Sequence, residues 1–121
     1  MNKKMKQLNK NQYDSLKKLD ASFNITLNCL KINVHNKLEH ELAKFFVLWE
    51  LLKDNKIAVS EAVFTNGKRT DIYDLNSCSA VEVVNSETFE SMKKKKETYP
   101  CEVLFLKSED ILKFWKQRLF K

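Results

Sequence analysis

The stretch Lys68-Arg69-Thr70-Asp71-Ile72-Tyr73-Asp74-Leu75, followed after a short turn by Ala80-Val81-Glu82-Val83-Val84, constrains this chain more than any other part of it. It predicts two neighbouring strands, each carrying an acidic residue into an otherwise apolar run. Burying an unpaired charge in a sheet is costly, so two such carboxylates point to a cation between them. A four-residue turn with Leu75 opposite Ala80 puts Tyr73 opposite Glu82 and Asp71 opposite Val84. Asp71 and Glu82 are then diagonal neighbours on one face. At about 5 Å they repel by about 3 kcal/mol at an effective dielectric of about 20. A divalent cation converts that repulsion into binding, and an all-oxygen donor set suits Mg²⁺ or Mn²⁺. The competing reading is an exposed sheet face on which Arg69, Lys68 or water satisfies both acids.

The chain has 121 residues, the length of one domain, and its eight Phe and two Trp supply a core. A single Gly and a single Pro exclude a low-complexity or collagen-like chain. No apolar run is long enough to span a bilayer, and the basic start Met1-Asn2-Lys3-Lys4-Met5-Lys6 lacks the apolar block of a signal peptide. The expectation is a cytoplasmic protein with no membrane partner. Cys29, Cys78 and Cys101 form no CxxC and read as small apolar fillers in a reducing compartment. The net charge of +6 favours a polyanionic partner.

Residues 1–35 read as a basic extension. Met5, Leu8, Leu16 and Leu19 suggest an amphipathic helix, and Phe23 to Leu30 alternates like an accessory strand. Residues 36–121 read as the main domain. A helix runs from Asn36 to Lys53, whose stripe of Leu38, Leu42, Phe45, Phe46, Trp49 and Leu52 should pack on a sheet. Strands follow at Ile57–Phe64, Arg69–Leu75 and Ala80–Val84, the first two joined by Asn66-Gly67, a two-residue hairpin signal that needs positive φ at both positions. That hairpin puts Glu61 opposite Ile72, on the other face from Asp71, unless a bulge shifts the register. Ser86 caps a helix through Tyr99, Pro100 stops it, Cys101–Leu106 is a strand, and Ser108 opens a last helix with Ile111, Leu112, Trp115 and Leu119.

The order helix, three antiparallel strands, helix, strand, with acids on the second and third strands, resembles the restriction-endonuclease-like, PD-(D/E)XK phosphodiesterase superfamily. Within it, small archaeal-type Holliday junction resolvases are the nearest in flavour. The likeness covers residues 36–107. It implies an α/β (α+β) fold with an αβββαβ core, flanked by an N-terminal accessory helix and strand and a C-terminal helix. It also implies that Asp71 and Glu82 hold the metal with the backbone carbonyl of Val83, and that Glu41 is an additional acid on the first helix. The position at which the superfamily carries its catalytic lysine is Val84 here. Some members recruit that lysine from the following helix, where this chain has Lys93, Lys94, Lys95 and Lys96. Helical phase, judged against Phe89 and Met92, favours Lys93 and Lys96.

The implied function is a Mg²⁺- or Mn²⁺-dependent endonuclease acting on DNA, branched or junction DNA included. Lys68, Arg69, Lys94 and Lys95 would hold the phosphate backbone, and two active sites would meet in a homodimer. The alternative is a nuclease-fold module that has lost catalysis and serves nucleic-acid binding or assembly. A third is a protein-interaction domain with Trp115 and Phe120 at a subunit contact.

Overall fold

Two acids and a lysine from different strands and helices converge because a four-stranded sheet is clamped between helical layers. The computed structural model describes residues 8–119. Its elements are α1 (Lys10–Leu16), α2 (Leu38–Lys53), β1 (Ala58–Val63), β2 (Arg69–Asp74), β3 (Ser79–Val84), α3 (Phe89–Thr98), β4 (Glu102–Lys107) and α4 (Ser108–Leu119). The sheet order is β1-β2-β3-β4. β1 and β3 both run antiparallel to β2, and β4 runs parallel to β3. A parallel pair needs a crossover, and α3 supplies it. The protein is thus a mixed α/β fold. Among the described residues, no helix is long and apolar enough to cross a membrane.

α2 and α4 pack together and cover one face. There Ala43, Val47 and Leu48 meet Ala58, Ile72, Val81 and Val83. The other face buries Val59, Tyr73, Leu75 and Ala80 beneath Leu19 and Phe64, with Leu16, Ile25, Leu27 and Tyr99 around them. The helix starts are written locally. Asn9 and Gln12 form a reciprocal capping box on α1, and Thr88 accepts from Ser91 N–H on α3.

Several expectations need correction. No strand forms over Phe23–Leu30. The segment is instead irregular chain laid along β1, where Asn28 N–H donates to the Ala58 carbonyl and Asn28 Oδ1 accepts from Ala58 N–H. Asn28 sits at φ 60°, which asparagine tolerates and a running strand does not. The N-terminal helix is short, and Met5 with Lys3, Lys4 and Lys6 lies outside the described residues. Of the cysteines, Cys29 is exposed rather than a core filler, because its carbonyl is what the fold uses, as the acceptor for Ser60 Oγ.

The β1–β2 hairpin also differs. Phe64 N–H donates to the Lys68 carbonyl, Gly67 N–H donates to the Phe64 carbonyl, and Gly67 is left-handed at φ 85° while Asn66 is not. The loop is therefore three residues long, a type I turn closed by a glycine. That one-residue difference puts Glu61 across from Asp71, between the pairs Ser60↔Ile72 and Ala62↔Thr70. Glu61 itself leaves the ladder at φ 48°. Strict alternation breaks there, which lets Val59 and Ala62 reach the same core cluster.

α2 is rotated from the expected orientation. Leu38, Leu42, Phe45 and Trp49 face outward, whereas Glu41 and Lys44 are buried. A buried ion pair sits beside Ala43, Val47 and Leu48 on the sheet side.

Tyr73 anchors the second layer. It is fully buried, and its hydroxyl donates to the Ser15 carbonyl at 2.9 Å. Tyr73→Phe should therefore lower stability in urea unfolding by about 1–2 kcal/mol, the cost of an unmet buried acceptor.

Candidate active site

β2 and β3 separate where their acids lie. The ladder holds Asp74↔Ser79, Tyr73↔Ala80 and Ile72↔Val81, two residues away from the expected register. The turn closes early because Asp74 captures it, accepting from Asn76 N–H and Ser77 Oγ, each at 2.9 Å. A shift of two preserves side-chain facing, and it brings Asp71 level with Glu82 instead of diagonal to it. Beyond Ile72 the side chains stand in for the ladder. Glu82 Oε2 accepts from Asp71 N–H at 3.0 Å, and Asp71 Oδ2 accepts from Val83 N–H at 2.8 Å.

Each acid is then met from a different layer. From α3, Lys95 Nζ lies 3.2 Å from Glu82 Oε1, and the Tyr99 hydroxyl donates to the same oxygen at 2.6 Å. Thr70 Oγ1 adds a longer contact to Glu82 Oε2 at 3.3 Å. From α2, His40 Nε2 lies 3.4 Å from Asp71 Oδ2, and its Nδ1 lies 2.8 Å from Glu41 Oε2. Glu41 also accepts from Asn33 N–H and Asn36, and from Lys44 at 2.8 Å. The Lys44 ammonium is wholly buried, shared between Glu41, Glu61 at 3.0 Å and the Lys31 carbonyl.

The electrostatics follow from these contacts. Burial first, and then the charge of Asp71, pushes Glu82 above the usual carboxylate range, against the donors Tyr99, Asp71 N–H and Lys95. Burial works against the charge on Lys95, but Glu82 and Glu87 outweigh it and hold the ammonium above the ordinary lysine range. His40 is raised to about 9, chiefly by its hydrogen bond to Asp71. Glu41 falls to about 2: burial opposes ionisation, and the bonds from Asn33, Lys44, His40 and Asn36 together overcome it.

No protein-family model, curated protein or solved structure matches this chain. Geometry alone therefore carries the assignment.

Asp71, Glu82 and Lys95 are brought together, with Val83 supplying its backbone and Glu41 linked through His40. Lys93, Lys94 and Lys96 are exposed and touch neither acid. The phase argument fails because Phe89 does not pack on the sheet. Thr88, not Ser86, starts the helix, and Met92, Lys95 and Tyr99 form its inward side. Lys68 and Arg69 lie at the exposed hairpin end, where the Arg69 guanidinium sits 5.4 Å over the Phe23 ring. Val84 is buried in β3 beside Lys107. His40, Lys44 and Tyr99 are additions that sequence reasoning missed. For His40 and Lys44 the signal was the spacing His40, Glu41, Lys44 on one helix, which resembles an ordinary solvated face.

Among the described residues, no group of three or more His, Cys, Asp or Glu side chains is arranged to hold a metal ion. What the chain offers is the Asp71–Glu82 pair, with Asp71 engaged through Oδ2 and Oδ1 open among the described contacts. A carboxylate pair suits Mg²⁺, which commonly takes one or two protein carboxylates and completes its shell with water and phosphate, and here the ion would share the acids with Lys95 and His40. A polar cavity of about 480 Å³, lined in part by Asn36, His40, Val83, Asn85 and Ser86, opens beside them. The apolar cavity of about 390 Å³ between α2, α4 and β4 is lined by none of these groups.

Glu41 gives a pH test. Its value of about 2 lies below the ordinary 4.5, so its stabilisation is complete above about 4.5 and is lost as pH falls towards 2. Glu41→Gln should flatten that acid limb in thermal melts. It should also cost about 3 kcal/mol at neutral pH, since the buried Lys44 loses a counter-charge.

Proposed function

We propose that this chain is a metal-dependent phosphodiesterase with a restriction-endonuclease-like core, cutting DNA in the cytoplasm, with branched or junction DNA among its substrates. One observation carries the reading. Lys95 reaches Glu82 at 3.2 Å from the helix after β3, so an ammonium stands beside the acid pair although Val84 occupies the strand position. The net charge of +6 and the exposed Lys93, Lys94 and Lys96 supply a surface for a phosphate backbone.

Asp71 and Glu82, with the Val83 carbonyl, would hold Mg²⁺ or Mn²⁺. Bound there, the ion would lower the pKa of a water and shield the scissile phosphate. The chain's own groups do the rest. Lys95, kept protonated by Glu82 and Glu87, offsets charge that grows on the phosphate. Tyr99 fixes the Glu82 carboxylate, and Glu41 fixes the His40 ring so that Nε2 faces Asp71.

The test is cleavage of duplex, single-stranded and branched DNA with Mg²⁺ or Mn²⁺. Lys95→Ala should slow cleavage by about 10²–10³, the usual loss for one charge-stabilising donor. Lys93→Ala and Lys96→Ala should leave the rate within about threefold, acting only on backbone affinity. Absence of metal-dependent cutting on all three substrates, with Asp71→Ala behaving as wild type, rejects the proposal.

A second reading has its own observation. Each acid already has a cation, Lys95 on Glu82 and His40 on Asp71, as a nuclease-fold binding or assembly module without catalysis would require. That reading expects salt-sensitive DNA binding without cleavage, unchanged when Mg²⁺ is removed.

A further inference from the structure

α2 is apolar on two opposite sides. Its inner side meets the sheet through Ala43, Val47 and Leu48. Its outer side carries Leu38, Leu42, Phe45 and Trp49, which are 75%, 41%, 40% and 50% exposed. Their spacing runs four, three, four, the a/d rhythm with which one helix seats on another. A helix that is apolar all round is normally covered all round. Within the described chain, α4 covers only the Phe46 flank, through the stacked ring of Trp115 at 4.9 Å.

We propose that the outer side of α2 is the contact surface of a homodimer, in which the α2 helices of two copies pack antiparallel along Leu38, Leu42, Phe45 and Trp49. The reasoning is independent of the proposed chemistry.

Three observations favour a second copy as the occupant. A copy brings a seam of the same spacing, so the contact is self-complementary about a two-fold axis. The charges agree: Glu39 lies in the first turn of α2 and Lys53 in the last, so antiparallel packing brings Glu39 of one copy towards Lys53 of the other and opposes the helix dipoles. Glu39 borders the seam and would repel a nucleic-acid backbone or an anionic lipid surface, while Glu50, on the flank towards α4, holds Lys53 at 3.2 Å within the same helix. The area agrees as well. The four side chains leave on the order of 450 Å² open, the size of the largest apolar patch on a typical monomer, which is often a contact site. Two copies remove at most about 900 Å² through these side chains, and the flanking residues supply the remainder to the roughly 1,200 Å² at which specific interfaces begin.

Light scattering on a sizing column and equilibrium sedimentation read the outcome on the full chain. Wild type should be a dimer at about 10 μM, and Leu42→Glu or Trp49→Glu should raise the dissociation constant at least about 100-fold while circular dichroism stays native. Leu104→Glu, at an exposed apolar position on the β4 edge, should leave the dimer intact. Should a glutamate variant lose its native circular dichroism, wild type alone decides. Its tryptophan emission should shift to the red on dilution through dissociation, as Trp49 returns to water. A wild-type monomer at all concentrations overturns the proposal. So does a dimer that survives both α2 variants, one broken by Leu104→Glu, or one whose emission does not change as it dissociates.

Discussion

The rotation of α2 depends on one buried charge. Lys44 has no contact with solvent, and its ammonium is divided between Glu41, Glu61 and the Lys31 carbonyl. Partners on the same helix, on β1 and on the N-terminal segment fix α2 in angle and height together. An ammonium in that position without them would be intolerable. Two consequences follow from the same rotation. His40, one residue from Glu41, is carried over Asp71, and the large apolar side chains of α2 are turned away from the sheet. The polar site and the greasy outer surface are two results of one ion cluster.

The acids themselves do work that backbone normally does. Where β2 and β3 part, Glu82 takes the Asp71 amide and Asp71 takes the Val83 amide, so each carboxylate closes a hydrogen bond that the other strand would have closed. This explains how two like charges persist side by side in a largely buried place. Backbone amides, a tyrosine hydroxyl and two flanking cations share the load. Charges at about 5 Å repel by about 3 kcal/mol at an effective dielectric near 20, and two to three charge-assisted bonds offset that amount.

Element order was legible in the sequence because it is written locally. Apolar runs marked the four strands of the sheet, a polar helix preceded Pro100, and the single glycine marked the hairpin. Asp71 and Glu82 were legible for the same reason, as acids in apolar runs. What could not be read depends on counting and on partners far along the chain. One extra loop residue before Lys68 decided where Glu61 lies, and Asp74 decided where the β2–β3 turn closed. The facing of α2 was misread because a fully paired Glu–Lys–Glu cluster looks, in one dimension, like a solvated surface, while the true outer side looks like a core. Lys95 was hidden among four consecutive lysines until the start of α3 fixed its phase.

The three-residue hairpin at Thr65–Gly67 has an implication for how such a chain can drift. A deletion or insertion of one residue at a surface turn is ordinarily harmless. Here it would slide Glu61 by one place, swing its carboxylate away from Lys44 and strip a counter-ion from the interior. Loop length at this tip is therefore tethered to charge balance deep beneath α2, and length polymorphism should be purged there although side-chain changes at Thr65 remain free.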